Sequence, residues 1–409
     1  MRVALTLDAV DAPLTGVGRY ALELATRLPA LGADVSYLTR TGVLSEGAFT
    51  ERRLMAARGQ PRRGPILQSL LGSANQFPFM AHLAHSMRSL RDSLLPALEC
   101  DLVHGTGYYL PAARKQVAIV SFHDLSPLRF PQWHLPGRAA RLASEMRQAA
   151  SRADWIITDS NAVKAEVLDE FGFPAQRVVA IPLGVDAVFR QRAEHECVEV
   201  LQPLGLEVGG YSLMVGTLEP RKNHEKLLAA YAGLPLDARK AWPLVIVGGH
   251  GWANASVNAA IERGVREGWV KRLGFVAAGT LPILYSGARL FVYPSLYEGF
   301  GLPLIEAMAS GVPVVTSNRG SLAETAGAAG ELVDPEDVAS IRQGIERGLE
   351  DASWRETSVR NGLEIARQRT WSSCARQTLA LYHLAVSGQR LERAPLSNAD
   401  GDCAGLSRH

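Results

Sequence analysis

The distribution of apolar residues predicts two successive sets of alternating strands and helices. Short runs that are almost entirely apolar are typical of parallel strands buried on both faces. In the first half they occur at Val3–Leu7, Val35–Leu38, Leu102–His104, Val117–Phe122, Trp155–Thr158 and Val178–Ile181. Longer amphipathic stretches between them, such as Gly18–Leu28 and Arg138–Ala150, predict helices, and Ser160 is expected to cap the helix that follows it.

The alternation restarts after a polar stretch at Arg190–Leu206. The second set of predicted strands is Tyr211–Val215, Leu244–Val247, Val270–Phe275, Leu290–Tyr293, Pro313–Thr316 and Glu331–Val333. The helices predicted between them are Glu225–Ala232, Ala255–Glu267, Leu281–Ser286, Leu304–Ala309 and Val338–Leu349. Two sets of this kind predict an α/β protein with two Rossmann-like, doubly wound domains. Their ligands should bind in a central cleft, at the carboxyl ends of the strands.

Composition narrows the function classes without naming one. The 409 residues are 47% hydrophobic and 21% charged, which is typical of a globular protein and excludes collagen, coiled coil and disordered chains. The net charge of +2 gives no reason to expect nucleic acid as a partner. The four cysteines are scattered, which favours a reducing, cytoplasmic location. No carboxylate cluster is placed to hold a metal beside a diphosphate, so no metal is expected.

The most informative segment is Tyr293–Val315, which reads YPSLYEGFGLPLIEAMASGVPVV. It begins where a predicted strand ends, so Glu298 should lie on a loop at the carboxyl edge of the sheet and Glu306 on the next helix. Glycines in the turn let backbone N–H groups approach a ligand closely, and a helix start favours an anion. The candidate binding residues of this turn are Gly299, Phe300, Gly301 and Leu302.

A second segment, Met214–Tyr231, reads MVGTLEPRKNHEKLLAAY and follows the first strand of the second set. Arg221 and Lys222 are adjacent cations at a turn just before a helix. Arginine can bind a phosphate through two N–H groups and lysine acts as a point charge, so the pair can neutralise a diphosphate.

A glycine-rich loop follows the first strand. Gly16, Gly18 and Ala21 match the G-x-G-x-x-A pattern of nicotinamide dinucleotide sites. Several residues, Asp8–Thr15, separate the strand from the first glycine, whereas a dinucleotide-binding turn is tight. The second strand also lacks an acidic residue for a ribose, and we therefore discount a dehydrogenase.

The segment from Glu298 to Glu306 resembles the Glu-x7-Glu motif of retaining GT-B glycosyltransferases. Its sequence is similar to that of glycosyltransferase family 4 with its group 1 domain. The similarity is strong from Tyr211 to Trp371 and looser before it. It implies a GT-B fold with four parts. These are an acceptor-side domain at 1–195, a nucleotide-sugar domain at 196–371, a helix at 372–390 that crosses back to the first domain, and a polar, disordered tail at 391–409.

The resemblance also implies roles for individual residues. Arg221 and Lys222 should stabilise the leaving diphosphate. Glu298 should bond sugar hydroxyls or stabilise an oxocarbenium-like centre, and Glu306 should bond ribose hydroxyls. His123, at the end of a strand, should line the donor-sugar site. Apart from the resemblance, His104 also ends a strand and is expected on the acceptor side. The remaining residues expected to contact the donor are Gly16, Gly18, Gly216, Val276, Gly299, Phe300, Gly301 and Leu302.

The function implied is transfer of a hexose from a nucleotide diphosphate sugar, with retention of anomeric configuration and without metal or other cofactor. The segments FHDLSPLRFPQWH and GTLEPRKNH are similar to those of bacterial mannosyltransferases of surface-polysaccharide synthesis. GDP-mannose is therefore the first expectation for the donor. The acceptor should be a glycan or a lipid-linked glycan. A basic group at Arg52–Arg63 and the uncharged stretch Ile66–Met87 suggest peripheral contact with the inner membrane.

Other functions stay open at this point. A GT-B epimerase or phosphorylase shares the fold, although a chain with six lysines offers little context for a pyridoxal lysine. A GT-B protein that binds sugar nucleotides without catalysis is a second class, and the intact Arg221, Lys222, Glu298 and Glu306 argue against it. Hydrolysis of a nucleotide sugar separates the enzyme from the binding protein.

Overall fold

The computed structural model describes residues 1–10, 14–39, 42–58, 99–111, 115–135, 137–249, 251 and 255–393. Within that part, the chain forms two sheets that are almost entirely parallel and that follow each other along the sequence. The stretch at 66–87, Arg62 and Arg63 of the basic group before it, and the tail from 394 onwards lie outside the described residues.

The first sheet has seven strands in the order β3-β2-β1-β4-β5-β6-β7. All neighbouring pairs are parallel except β2 and β3, which form an antiparallel hairpin at the edge. The strands are β1 (Arg2–Thr6), β2 (Asp34–Thr39), β3 (Gly42–Leu44), β4 (Leu102–Gly105), β5 (Val117–Phe122), β6 (Trp155–Thr158) and β7 (Val178–Ala180).

Helices connect these strands as in a doubly wound sheet. They are α1 (Gly16–Ala30), α2 (Glu46–Arg58), α3 (Ser126–Arg129), α4 (Arg138–Arg152) and α5 (Asn161–Phe171). Ser160 caps α5 as predicted, because its Oγ accepts a hydrogen bond from the backbone N–H of Val163 at 3.2 Å.

The second sheet has six parallel strands in the order β10-β9-β8-β11-β12-β13. They are β8 (Ser212–Val215), β9 (Leu244–Val247), β10 (Val270–Gly274), β11 (Leu290–Tyr293), β12 (Val314–Ser317) and β13 (Gly330–Val333). Most of their residues are buried, as the apolar runs predicted.

The helices around the second sheet begin with α6 in the segment between the sheets. They are α6 (Glu194–Leu201), α7 (His224–Ala232), α8 (Leu236–Ala241), α9 (Ala255–Arg266), α10 (Leu281–Ser286), α11 (Leu302–Ala309), α12 (Gly320–Ala326), α13 (Val338–Glu350), α14 (Ala352–Gln368) and α15 (Trp371–Arg393). The polar stretch at 190–206 therefore contains a helix, and Cys197 and Leu201 anchor it in the core.

The last helix, α15, returns to the first domain, as the GT-B fold requires. Just before it, Thr370 forms a parallel bridge with Val185, and a Cβ on Gly184 would lie 2.0 Å from the backbone N of Trp371. The side chain of Tyr382 on α15 is fully buried and bonds to His104 on β4. The predicted fold is confirmed.

Two expectations for single residues in the first domain are wrong. His104 does not line an acceptor surface, because it is fully buried and its second ring nitrogen bonds to Ser121 Oγ at 2.8 Å. Arg52 does not belong to an exposed basic group. Its side chain is buried, and its Nη1 donates to the backbone carbonyl of Leu7 at 2.8 Å.

Candidate active site

The chain order brings the two strongest motifs together at one edge of the second sheet. Arg221 and Lys222 follow β8, and Glu298 follows β11. These two strands are direct neighbours in the sheet, so the loops at their carboxyl ends meet. The backbone N–H of Leu296 donates to the carbonyl of Arg221 at 2.8 Å, which joins the two loops.

Glu298 is the centre of this cluster. One of its carboxylate oxygens accepts a hydrogen bond from Arg221 Nη1 at 2.6 Å, and the other accepts one from Lys222 Nζ, also at 2.6 Å. The hydroxyl of Tyr293, the last residue of β11, lies 2.8 Å from the second oxygen and also bonds to Lys222. Glu219 completes the cluster by accepting from Arg221 Nε at 2.9 Å.

Burial and charge act in opposite directions on this carboxylate. Burial alone would raise the pKa of Glu298, but the charges of Arg221 and Lys222 outweigh it and lower that pKa to about 2. Burial and the neighbouring guanidinium lower the pKa of Lys222. Glu298 is therefore ionised at every physiological pH, in a site that also holds two cations.

The second glutamate of the motif lies in a different environment. Helix α11 begins after Gly301, whose φ of 97° is in the left-handed region and whose added Cβ would lie 2.7 Å from Leu322. Glu306 on this helix accepts a hydrogen bond from the hydroxyl of Tyr285 at 3.0 Å. Burial raises the pKa of Glu306 to about 7, which the bond from Tyr285 only partly offsets. Its charge consequently changes within the physiological range.

His123 follows β5 in the first domain and has both ring nitrogens engaged. Nδ1 lies 2.8 Å from Asp159 Oδ2, and Nε2 lies 3.0 Å from the carbonyl oxygen of Thr106. Burial opposes the charged ring, but Asp159 outweighs it and raises the pKa of His123. Both partners are acceptors, so the ring is held as a donor on both sides and its orientation is fixed.

Gly16 and Gly18, predicted to lie in a loop, form the first turn of α1, and this turn lies against the second domain. An added Cβ on Gly16 would lie 3.3 Å from Leu302 Cδ1, at the start of α11. An added Cβ on Gly18 would lie 2.3 Å from the carbonyl oxygen of Ala9, so the tight start of α1 has no room for a side chain. Thr15 caps this helix through a 3.3 Å bond from the N–H of Gly18.

Further contacts cross the cleft. Ser160 Oγ donates to the carbonyl of Gly299 at 2.9 Å. The hydroxyl of Tyr297 donates to Glu166 at 2.6 Å and accepts from the N–H of Leu125 at 2.9 Å. The two domains are therefore in contact beside the predicted catalytic loop.

Glu324 adds a further contact across the cleft, in the form of a helix cap that comes from the other domain. Its carboxylate accepts from the N–H groups of Asn161 and Ala162, at 3.0 Å and 3.1 Å, at the start of α5. Sequence reasoning missed these bonds across the cleft.

Two of the predicted donor residues have less defined surroundings. Gly216 lies at the end of β8 beside the Lys222 side chain, since an added Cβ would be 3.5 Å from it. Val276 is half-buried at the end of β10, and the adjacent Phe275 is 69% exposed. Lys222 follows β8, and β9 lies between β8 and β10, so Phe275 and Val276 lie two strands away from Lys222.

The structure adds site residues that sequence reasoning missed. Tyr293 ends β11 and Asp159 follows β6, so the carboxyl-edge rule could have identified both. Tyr285 lies on α10 and carries no such signal, because only packing brings it to Glu306.

The residues that the structure describes form neither a membrane span nor a metal centre. None of the helices in that part of the chain is long and apolar enough to cross a bilayer. Among the same residues, no three His, Cys, Asp or Glu side chains converge in a way that could hold a metal ion.

Comparison with known proteins gives matches over most of the chain. The sequence profile of Glycosyltransferase Family 4 matches residues 14–189, and that of Glycosyl transferases group 1 matches residues 207–364. The O-antigen chain mannosyltransferase B of Escherichia coli is 37% identical over 386 residues, which cover 94% of this chain and all of that protein.

Two solved structures are similar in fold. Sucrose-phosphate synthase from Thermosynechococcus elongatus has a TM-score of 0.67 and 23% identity, over 95% of this chain and all of that one. An Anabaena protein in complex with UDP and glucose also has a TM-score of 0.67, with 21% identity over 94% of this chain and all of that one. At these identities the two structures show the shared fold alone.

Proposed function

Because this chain belongs to glycosyltransferase family 4, with a group 1 glycosyl transferase domain in its second half, we propose that it is a retaining mannosyltransferase of surface-polysaccharide synthesis. The chain adopts the GT-B fold and is a glycosyltransferase. The donor GDP-mannose, the retention of configuration, the independence from metal and the peripheral contact with the inner membrane are parts of the proposal.

The observation that carries the proposal is the cluster of Arg221, Lys222 and Glu298 at the carboxyl edge of the second sheet. Arg221 and Lys222 each lie 2.6 Å from the carboxylate of Glu298. They form a compact site in which a diphosphate can take the place of that carboxylate. They supply two positive charges where the leaving group becomes more negative, which is electrostatic stabilisation of the transition state.

The reaction follows from this placement. The bond between the sugar C1 and the diphosphate oxygen breaks while Arg221 and Lys222 stabilise the growing charge. An acceptor hydroxyl forms the new bond to C1 from the same face, and its proton passes to the departing phosphate. Glu298 accepts hydrogen bonds from the sugar hydroxyls, and Glu306 accepts them from the ribose. His123, held by Asp159, lines the sugar site without giving up its own ring bonds.

Support for mannose comes from the relative at 37% identity, which is named as an O-antigen chain mannosyltransferase and is covered over its whole length. By extension, the acceptor proposed here is the end of a growing polysaccharide, free or lipid-linked. The cytoplasm, where sugar nucleotides are made, is the proposed location.

A donor panel tests the proposal. The purified chain is incubated with GDP-mannose, GDP-fucose, UDP-glucose and UDP-galactose, with a mannose-terminated oligosaccharide and with EDTA, and released nucleotide is measured. GDP release that requires GDP-mannose, depends on acceptor and survives EDTA is expected. Release from a UDP-sugar alone would contradict the donor, and loss of activity in EDTA would contradict metal independence.

A further inference from the structure

The carboxylate of Glu298 occupies the place between Arg221 and Lys222 that an anionic ligand needs. Lys222 Nζ already bonds both Glu298 and Tyr293, so only one of its three N–H groups remains for another partner. The side chains of Lys222 and Glu298 are each 9% exposed, and that of Arg221 is 20% exposed. Together with Glu219, which bonds Arg221 Nε, Glu298 therefore already neutralises the two cations assigned to the diphosphate.

We propose that Glu298 competes with the diphosphate for Arg221 and Lys222, and that this competition favours release of the nucleoside diphosphate product over release of the intact donor. The inference rests on the proposed function, because it takes the diphosphate of a sugar nucleotide as the competing anion. It adds to Glu298 a role in the part of the cycle when no sugar is bound.

The sugar nucleotide and the nucleoside diphosphate product differ in the hydroxyl groups that they can offer to Glu298. When an intact donor displaces the carboxylate from the cations, the sugar hydroxyls can donate to it, and the lost contacts are replaced. After transfer the sugar is attached to the acceptor, and its hydroxyls no longer bond to Glu298. Glu298 then returns to Arg221 and Lys222, where its charge repels the terminal phosphate, which gains charge once the proton taken from the acceptor is lost to solvent.

The charge of Glu298 is available for this role at every working pH, because the two cations hold its pKa at about 2 despite burial. Glu306 differs, since burial raises its pKa to about 7. The charge that Glu298 brings to the competition therefore does not change around neutral pH, while any contribution of Glu306 to nucleotide binding changes there.

Titration calorimetry with GDP, and separately with UDP, tests the proposal on the full chain. Glu298→Gln keeps the shape of the side chain and removes its charge from two cations, so GDP should bind about 10- to 100-fold more tightly than to the wild type. A role in bonding sugar hydroxyls alone predicts unchanged GDP affinity, because GDP has no sugar at that position.

Glu219→Gln is the matched control. Glu219 bonds the same guanidinium, but only through Nε at 2.9 Å and without contact to Lys222. Its removal should tighten GDP binding less than Glu298→Gln does. Equal effects would mean that any negative charge near the site acts alike, and would overturn the proposal.

A second variant covers the case in which Glu298→Gln fails to fold because the positive charge of the buried cluster is no longer balanced. Glu298→Asp keeps the charge but is one methylene shorter, so it cannot hold both cations at the wild-type distance, and GDP should bind about threefold to tenfold more tightly. Unchanged or weaker GDP binding by the folded variants would overturn the competition while leaving the transferase proposal intact. A wild-type chain that binds neither GDP nor UDP would contradict both.

Discussion

Gly299 is the position where a single methyl group should separate the two domains. A Cβ built on Gly299 would lie 1.6 Å from the carbonyl oxygen of His123, which belongs to the first domain. Contacts of a real Cβ essentially never fall below 3.0 Å, so Gly299→Ala requires the loop and the first domain to move apart by about 1.4 Å. The obstacle is backbone, which cannot rotate away as a side chain can.

That displacement occurs beside Glu298, between the loop that carries it and the residues of the first domain. A misplacement of about 1 Å in a catalytic site can lower the rate about 100-fold, so we expect kcat/KM to fall by at least that factor. Nucleoside diphosphate binding, which we propose takes place on the second domain, should change far less. Initial rates with saturating and limiting donor, together with calorimetry, separate the two effects.

Gly279→Ala is the control for Gly299→Ala. Gly279 lies in the same domain, is exposed, and has no atom within 4 Å of an added Cβ, so this variant should keep wild-type kinetics. A Gly299→Ala enzyme with wild-type kcat/KM and an unchanged melting temperature would refute the close approach of the domains in the working enzyme.

Three further predictions concern the charged groups of the cleft. Lys222→Ala should lower kcat by about 10²–10³, since one electrostatic stabiliser of the leaving group is lost, and a variant with wild-type turnover would contradict its role. An ionised carboxylate accepts hydrogen bonds from ribose hydroxyls more strongly than a protonated one, so affinity for GDP should increase as pH rises through about 7, where Glu306 loses its proton. Glu306→Gln should abolish the part of the pH dependence that Glu306 causes. Glu324→Gln removes the charge that caps α5 from across the cleft, so kcat/KM should fall about threefold to tenfold and the amide of Asn161 should exchange faster. The control Glu364→Gln, on the exposed surface of α14, should change neither kcat/KM nor that exchange.

The architecture was predictable because buried parallel strands leave a clear pattern in the sequence. The strand Val117–Phe122 and the helix Leu281–Ser286 have the predicted bounds in the structure. The short hairpin strand Gly42–Leu44 was missed, since three residues, half-buried or exposed, carry no apolar run. The domain boundaries at 195 and 371, and the roles of the site residues, stay predictions.

Side-chain partners were much less predictable than elements. The adjacency of Arg221 and Lys222 to Glu298 follows from strand order, but the sequence contains no sign that both cations bind the same carboxylate. His104 shows the opposite error, because the end of a strand looked like a functional position. Its partner Tyr382 lies 278 residues away on the returning helix, and only the packed structure reveals that contact.

The anomeric configuration of the product tests the central claim most directly. The wild-type chain is incubated with GDP-mannose, whose sugar is α-linked, and a mannose-terminated acceptor, and the new linkage is followed by proton and carbon NMR from the first turnovers. The account predicts an α-linked mannose on the acceptor together with GDP. A β-linked product would contradict the retaining mechanism, and the absence of mannosyl transfer with correctly folded protein would contradict the proposed mannosyltransferase function.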